Sequence, residues 1–348
     1  MTAAALRILS PGLSTTVQDL GRHGFQRLGV AVGGALDPIS LRAANILVGN
    51  PIDAGALEAL YVGPSFVIEA DDARLSFVGA EAEIEILADA DAQSGETISS
   101  MRSVRVRRGQ VVRVGSLKNG AILYIAVEGG FAIDPTLGSV STDSRGKMGG
   151  WQGRVLAPGD VLPLRAGAAA DRDEYRLEGL ALAPLHQIRA ICGPQSDYFS
   201  QTEIERFFAG KYTVSAGSNR MGMRLEGSPI RHSRGFNIVS DAIATGSVQV
   251  PGSGQPIVLL ADHQTTGGYP KIATVISADL PAVGRLPIGS KLSFAAVTLE
   301  EAAAARRKFA ADLENIRDKM VPISPAKALV AARLLECNLI SGVYDAAA

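Results

Sequence analysis

Apolar runs of strand length, separated by turns rich in glycine, proline and small polar residues, dominate the pattern along the chain. Runs of this length and composition predict β-strands. Between residues 104 and 114, apolar positions on both sides of Arg108 and Gly109 predict a hairpin. The other runs that predict strands lie at residues 6–9, 66–69, 75–78, 84–86, 122–127 and 187–192, and around residues 238, 248, 257, 275 and 292.

Two helices are predicted within this β-rich part of the chain. Asp37 is a suitable N-cap before Pro38 at the first helical position, and the run Gly49-Asn50-Pro51 ends the helix. A shorter helix is predicted over residues 202–208. The small and acidic interval 166–173, with the irregular stretch after it, predicts a boundary between two domains.

The tail of the chain changes from strand to helix character. Thr298 and Glu301 form a capping box, which predicts a helix running to Lys319, and a further helix is predicted from Ser324 to Gly342. These patterns divide the chain into an N-terminal domain at residues 1–180, a second domain at 181–297 and a helical tail at 298–348.

Composition places the chain among ordinary globular proteins. Its 348 residues are 47% hydrophobic and 20% charged, and the net charge of -1 gives no basic surplus for nucleic acid. No signal peptide and no apolar run of membrane-spanning length is found. The two cysteines, Cys192 and Cys337, lack metal-ligand spacing. A cytoplasmic protein that binds neither nucleic acid nor membrane is therefore expected.

Several nucleotide-binding, metal-binding and hydrolase motifs are missing from the sequence. Near Gly146 and Lys147, Ser141 replaces the first glycine of a P-loop and Met148 replaces its hydroxyl residue. Ile257 occupies the position of the third glycine in a dinucleotide fingerprint. The four histidines occur singly, so no metal site is predicted, and no serine-hydrolase elbow is found. The surroundings of Lys147 also do not fit a biotin-attachment lysine.

Four polar, glycine-spaced segments contain the candidate chemistry, at residues 15–24, 139–151, 215–224 and 262–271. Each has at least one cationic side chain: Arg22 in the first, Arg145 and Lys147 in the second, Arg220 and Arg224 in the third, and Lys271 in the fourth. Such sets suit a small substrate with carboxylate or phosphate oxygens. Taken singly, each arginine can instead form a surface ion pair or brace a loop.

Anionic groups and a glycine pair complete this set. Asp19, Asp37 and Asp262 are the available bases. Gly267-Gly268 is expected to turn backbone N–H groups inward as an anion-binding nest. The recurrence of one chemistry in four segments favours a shared site over four separate loop braces.

The motifs in these segments resemble the biotin-dependent carboxyltransferase family, whose names include allophanate hydrolase subunit 2, KipA and the C-subunit of 5-oxoprolinase. The resemblance covers about residues 5 to 297. Position 263 looks variable in that family, which makes His263 a weak catalytic candidate. The motifs are Thr15-Thr16-Val17-Gln18-Asp19-Leu20-Gly21-Arg22, Gly34-Ala35-Leu36-Asp37, Ala44-Asn45 with Leu47-Val48-Gly49-Asn50-Pro51, Leu57-Glu58, Glu128-Gly129-Gly130-Phe131, Ser218-Asn219-Arg220-Met221-Gly222 and Gln264-Thr265-Thr266-Gly267-Gly268-Tyr269-Pro270-Lys271-Ile272.

The resemblance implies a mainly β fold of two tandem cyclophilin-like β-barrel domains, followed here by a C-terminal α-helical extension. It also implies a complex with two partners, one of the KipI type and one of the LamB/YcsF type, that cleaves 5-oxoproline to glutamate with ATP. ATP is expected to be shared with those partner subunits.

Two alternatives stay open. One is carboxyl transfer from carboxybiotin, carried by another protein, to a urea-like or amide substrate. The other is regulatory binding of a KipI-type partner.

The predicted site follows from residue type and position in these motifs. The Thr265–Gly268 turn with Arg220 is expected to stabilise an oxyanion, Asp262 or Asp19 to accept a proton, and Lys271 or Arg22 to hold a carboxylate or phosphate. The predicted catalytic residues are Asp262, Thr265, Thr266, Arg220 and Asp19. The predicted substrate-binding residues are Gln18, Arg22, Asn219, Gln264, Gly267, Gly268, Tyr269, Lys271 and Arg145.

Overall fold

The computed structural model describes residues 4–323, so the predicted helix from Ser324 and the thiol of Cys337 lie outside the described residues. The mainly β prediction is confirmed. The helices are α1 (Pro38–Leu47), α2 (Gln201–Ala209), α3 (Leu280–Gly284) and α4 (Leu299–Glu314). None of the helices in the described part of the chain is long and apolar enough to cross a membrane.

The strands are numbered β1 to β22 in chain order. They are β1 (Ala5–Ser10), β2 (Ser14–Gln18), β3 (Ala56–Leu60), β4 (Ser65–Ile68), β5 (Asp72–Glu81), β6 (Glu83–Leu87), β7 (Glu96–Ser99), β8 (Arg102–Arg107), β9 (Val111–Val114), β10 (Lys118–Val127), β11 (Val161–Pro163), β12 (Tyr175–Leu177), β13 (Gln187–Cys192), β14 (Tyr212–Val214), β15 (Gly222–Glu226), β16 (Asp241–Ala242), β17 (Ser247–Gln249), β18 (Ile257–Leu259), β19 (Thr266–Gly267), β20 (Lys271–Val275), β21 (Lys291–Ala296) and β22 (Met320–Pro322).

The first structural unit is built from two antiparallel sheets around a shared apolar core. One sheet has the order β11-β1-β4-β9-β6-β7 and the other the order β2-β3-β10-β5-β8-β12-β22. Alternate residues of both sheets point inward, as expected for half-buried strands. Leu6, Phe66, Phe77 and Leu123 are among the fully buried members of this core.

The segment predicted as a hairpin joins the two sheets instead. β8 pairs with β5 in one sheet, whereas β9 pairs with β4 and β6 in the other. Val106 and Val112 therefore reach the same core from opposite sides. The hairpin prediction is wrong because a turn at residues 108–110 also permits the chain to change sheets, and the apolar pattern is the same in both cases.

The second unit is a closed barrel in the order β13-β20-β17-β18-β15-β14-β21. Its core is closed at one side by α2, whose Phe207 ring stacks on Phe294 of β21 with centroids 4.7 Å apart. Tyr212 packs edge-on against the same Phe294 ring. The barrel prediction for this part of the chain is confirmed.

Helix α1 covers the outer face of the seven-stranded sheet. Asp37 caps it as predicted, because its side chain accepts hydrogen bonds from the backbone N–H groups of Ile39 and Ser40. Leu41 and Leu47 on the buried face pack in a second apolar cluster with Tyr124 of β10. Asp37 also belongs to the hydrogen-bond network of the candidate site described below.

The tail returns to the first unit. The predicted capping box of Thr298 and Glu301 begins α4, but the helix ends at Glu314, before the predicted Lys319. The buried Ile316 then packs into the cluster beneath α1, and the chain forms β22, which pairs with β12. The domain limits at 180 and 297 stay predictions.

Candidate functional site

The four polar segments lie together where the two units meet. Asp19 in the first segment is hydrogen-bonded to Ser141 in the second, and Arg220 in the third is paired with Asp262 in the fourth. The second and third segments also approach each other, since Arg145 Nη1 lies 4.0 Å from Met221 Sδ. Residues far apart in sequence thus surround one region.

A cleft of about 370 Å³ opens between these segments. Four of the predicted site residues line it: Arg145, Asp262, Gln264 and Thr265. Another cleft, with a volume of about 470 Å³, lies at the edge of the six-stranded sheet, away from the polar segments. The remaining lining residues of the cleft between the segments are Gly29, Val30, Ala31, Asp143, Gly146, Met148 and His263.

Arg220 is held from three directions. Its Nε and Nη2 lie 2.8 and 2.9 Å from the two carboxylate oxygens of Asp262, its Nη1 donates to Glu58, and its Nη2 also donates to the carbonyl of Gly34 at 2.6 Å. Burial alone would lower the pKa of Arg220, but the carboxylates of Glu58 and Asp262 outweigh it and raise the pKa. Every guanidinium nitrogen is engaged, so Arg220 in this geometry orients Asp262 toward the cleft.

The network continues into the first unit. The hydroxyl of the buried Tyr124 donates to Glu58 and accepts from the backbone N–H of Asp37 at 3.0 Å. Burial, followed by the charges of Glu58 and Asp37, raises the pKa of Tyr124 well above its usual value, so the phenol stays protonated. Arg285 of the second unit donates to Asp37 at 2.9 Å. Two arginines of the second unit, Arg220 and Arg285, therefore bind carboxylates of the first.

Asp19 is surrounded by donors from the chain itself. Its carboxylate accepts hydrogen bonds from the backbone N–H groups of Gly21 and Val140 and from the hydroxyls of Ser139 and Ser141. Asp19 lines a separate, third cleft of about 350 Å³ and not the cleft beside Asp262. This geometry joins two loops firmly, and the predicted role of Asp19 as a base stays a prediction.

Lys271 is also engaged within the chain. Its ammonium group donates to Asp241 at 2.7 Å and to the carbonyl of Ala242 at 3.0 Å. The hydrogen bond from Lys271 is the main cause of the lowered pKa of Asp241. The side chain thus ties β16 to β20 and has its charge compensated without a substrate.

The predicted nest at Gly267 and Gly268 is wrong. Neither glycine has a positive φ, and Gly267 pairs with Asp241 in the small β16–β19 sheet. A Cβ at position 267 would lie 2.7 Å from Gln249 Nε2, so close packing is what requires glycine there. Consecutive glycines with positive φ occur instead at 33–34, 129–130 and 149–150.

Three further predicted residues lie on or beside β19 and do not line the cleft. Thr266 is exposed and forms part of β19. The carbonyl of Gly268 accepts a hydrogen bond from the backbone N–H of Ile238, and the ring of Tyr269 is 40% exposed. Their predicted contacts with substrate stay predictions.

Two amide side chains complete the predicted set. Asn219 accepts hydrogen bonds from the backbone N–H groups of Met221 and Gly222, which shapes the turn before β15. Gln18 is fully buried and donates to Thr16 and to the Thr142 carbonyl, while its Oε1 has no partner among the described residues. Gln18 therefore has hydrogen-bonding capacity left, whereas the Asn219 carbonyl oxygen is engaged.

Sequence reasoning gave no role to Glu58, Tyr124 or Arg285, although all three belong to the network around Arg220. Glu58 lies in the Leu57-Glu58 motif, so a signal for it was present. Tyr124 faces Glu58 across the β3–β10 pair. Nothing local in the sequence marks Arg285, because its partner Asp37 is 248 residues away.

His263 forms a buried wall of the cleft. Its Nδ1 lies 2.6 Å from the carbonyl oxygen of Gln264 and its Nε2 lies 3.0 Å from the hydroxyl of Thr245. The carbonyl can only accept, which assigns the proton to Nδ1 and makes Thr245 the donor to Nε2. Burial lowers the pKa of His263, although the Gln264 carbonyl and the Asp262 carboxylate act in the opposite direction.

The lowered pKa of His263 predicts a pH dependence of stability. Below a pH of about 6.5 the unfolded chain binds a proton at this residue more readily than the folded protein does, so the free energy of unfolding falls as the pH falls. We expect His263→Gln to lose less stability than the wild type between pH 7.5 and 5.5 in urea denaturation. Parallel pH profiles for the two proteins would contradict the assignment.

Comparison with known proteins relates this chain to one family. A family model described as carboxyltransferase domain, subdomain A and B, matches residues 28–296. The 5-oxoprolinase C-subunit of Haemophilus influenzae is 40% identical over 314 residues, which cover 89% of this chain and 97% of the relative. The 5-oxoprolinase C-subunit of Escherichia coli is 38% identical over 303 residues, covering 87% and 94%.

A solved structure agrees with the fold. The crystal structure of the K. lactis urea amidolyase superposes with a TM-score of 0.82 at 29% sequence identity. The match covers 92% of this chain but 21% of the urea amidolyase. The chain therefore spans about a fifth of that larger protein and nearly the whole length of the two 5-oxoprolinase relatives.

Proposed function

The chain belongs to the family of carboxyltransferase domains with subdomains A and B, and on this premise we propose that it is the C-subunit of a cytoplasmic, ATP-dependent 5-oxoprolinase. In this proposal it is one member of a hydrolase complex that opens the cyclic amide of 5-oxoproline to give glutamate. A KipI-type protein and a LamB/YcsF-type protein complete the complex. The near full-length match to two proteins named as this component of 5-oxoprolinase supports the choice.

The observation that carries the proposal is the cleft between the two units, in which Asp262 is oriented by Arg220 beside Gln264 and Thr265. Opening a lactam requires a donor at the carbonyl oxygen, where negative charge develops, and a group that handles a proton. The Gln264 amide and the Thr265 hydroxyl are available donors at the wall. Asp262 supplies the carboxylate, since its oxygens accept from Arg220 and keep further lone pairs.

The cleft of this chain lacks the features of one common type of triphosphate site. That type is built from a glycine-rich loop that leads into a helix N-terminus. Here the loop containing Gly146 and Met148 leads into a further turn at residues 149–153, and the lining cation is Arg145. We therefore propose that the partner subunits bind ATP.

A carboxyltransferase acting on a urea-like or amide substrate is the second candidate. The superposition on the urea amidolyase supports it, because both proteins share this fold over nearly all of the present chain. The relatives that match over their whole length are named differently, which favours the oxoprolinase proposal. In the carboxyltransferase case, biotin would arrive on another protein.

Reconstitution tests the proposal. The chain is purified with its KipI-type and LamB/YcsF-type partners, and 5-oxoproline-dependent release of ADP and glutamate is measured, with each protein omitted in turn as the control. We expect turnover with all three proteins and none without this chain. Absence of turnover in the complete mixture, together with transfer of labelled carboxyl from carboxybiotin to an amide, would replace the proposal by the second candidate.

A further inference from the structure

Arg22 is a buried cation whose charge the described residues do not compensate. The residue is 1% exposed, and its Nη2 donates to the carbonyl of Ser141. Nε and Nη1, which carry most of the five N–H donors of a guanidinium, have no hydrogen-bond partner within residues 4–323. Arg220, whose side chain is 12% exposed, is by contrast paired with two carboxylates.

An arrangement of this kind is costly unless a ligand completes it. An arginine keeps its charge inside a protein, and a buried charge without a partner opposes folding. No carboxylate among residues 4–323 forms an ion pair with Arg22, and Asp262, which lies nearby, is already committed to Arg220. A bound anion would supply the missing acceptors and charge.

Glycines lie on both sides of the guanidinium. At Gly33, a Cβ would lie 3.3 Å from Arg22 Nη1 and 3.7 Å from Asp262 Oδ1, so the absent side chain leaves a space between these two groups. At Gly149, a Cβ would lie only 2.6 Å from Arg22 Nη2, so this glycine packs closely against the guanidinium on the other side. Both glycines have positive φ, which other residues rarely adopt. The space at Gly33 therefore adjoins Asp262, a lining residue of the cleft.

We propose that Arg22 binds the carboxylate of the substrate, with the reacting amide placed toward Asp262 and Thr265. This role rests on the proposed function in one respect, which is that the substrate 5-oxoproline is a small lactam that carries a carboxylate. Lys271, the other candidate for this role from the sequence, is neutralised by Asp241. A planar guanidinium suits a carboxylate, which makes Arg22 the residue that distinguishes 5-oxoproline from lactams without that group.

Binding measurements on the full chain, alone and in the complex with both partners, test this role. Calorimetry is performed with 5-oxoproline, with 2-pyrrolidinone, which lacks the carboxylate, and with inorganic phosphate. We expect Arg22→Met to weaken 5-oxoproline binding about 10- to 100-fold and to leave 2-pyrrolidinone binding unchanged. Arg107→Met, at an exposed arginine of β8 outside the four segments and the cleft, is the matched control and should bind like the wild type.

A stability readout separates binding from a structural role. Arg22→Met removes an uncompensated charge, so its melting temperature without ligand is expected to equal or exceed that of the wild type, and 5-oxoproline should stabilise only the wild type. A lower melting temperature with unchanged 5-oxoproline affinity would overturn the proposal. Binding of phosphate but not 5-oxoproline through Arg22, or no binding of 5-oxoproline by the wild type in either form, would also overturn it.

The test is independent of turnover. Loss of 5-oxoproline affinity in Arg22→Met supports the carboxylate site even where the reconstituted complex releases no glutamate, which would reject only the proposed function. Turnover by the complex with unchanged affinity in Arg22→Met would reject only the carboxylate site.

Discussion

Replacing Arg220 by alanine is expected to lower the free energy of unfolding by about 3–5 kcal/mol. The substitution leaves Glu58 and Asp262 without the guanidinium that pairs with both, and it removes the hydrogen bond to the Gly34 carbonyl. Glu58 is buried at 1% side-chain exposure and Asp262 at 10%, so water cannot fully replace the lost partner. Urea denaturation followed by circular dichroism measures the effect.

Two variants identify the cause of that loss. The triple variant Arg220→Met, Glu58→Gln and Asp262→Asn removes all three charges and is expected to be more stable than Arg220→Ala alone, because no unpaired charge stays buried. Arg224→Ala, at an exposed position, should change stability little. A loss below about 1 kcal/mol in Arg220→Ala would show that the network does not hold the two units together.

Local signals predicted the elements that depend on local chemistry. The helix α1 begins and ends close to its predicted limits because Asp37 caps it, Pro38 fits its first turn and the residues after it are poor helix formers. The strand at residues 187–192 was also predicted with its observed limits. In these places the residues that determine an element lie within the element or a few positions from it.

Elements that depend on distant partners were not predicted. The residues of β8 and β9 have a strand pattern, but which sheet each joins depends on β5 and β4. The three-residue β22 exists only because β12 offers an edge, and its own sequence contains no strand signal beyond Met320 and Val321. Sheet membership is a property of pairs of strands, and pairing is not visible in one segment.

The candidate site shows the same division. Residue type identified Asp262, Gln264, Thr265 and Arg145, which do line the cleft. Whether a charged side chain is available to a ligand depends on contacts that the sequence does not show. Arg220 binds Glu58, which is 162 residues away in sequence, and Lys271 binds Asp241, which is 30 residues away. Four segments of similar chemistry therefore contain one uncompensated buried arginine, Arg22, and two cations with partners inside the chain.

Substituting Asp262 by asparagine is expected to lower kcat of the reconstituted complex by about 10²- to 10⁴-fold, the range found for positioned acid–base groups. Asparagine has nearly the shape of aspartate but cannot take up a proton, and it removes the charge that Arg220 orients toward the cleft. Steady-state kinetics of glutamate release, with the free energy of unfolding measured alongside, checks the result.

Glu58→Gln is the informative comparison for Asp262→Asn, because it breaks the same arginine network from the other side. Glu58 does not line the cleft, and the Asp262 carboxylate is retained in this variant. We expect Glu58→Gln to lose stability to a similar degree as Asp262→Asn and to lose much less of kcat. Equal losses of kcat would mean that the ion-pair network as a whole, and not the Asp262 carboxylate, limits turnover. The reason is that both variants damage the pairing with Arg220, whereas only Asp262→Asn removes a proton acceptor that lines the cleft. Glu58→Gln also weakens the hydrogen bonds that Glu58 accepts from Tyr124 and from the backbone N–H of Leu36.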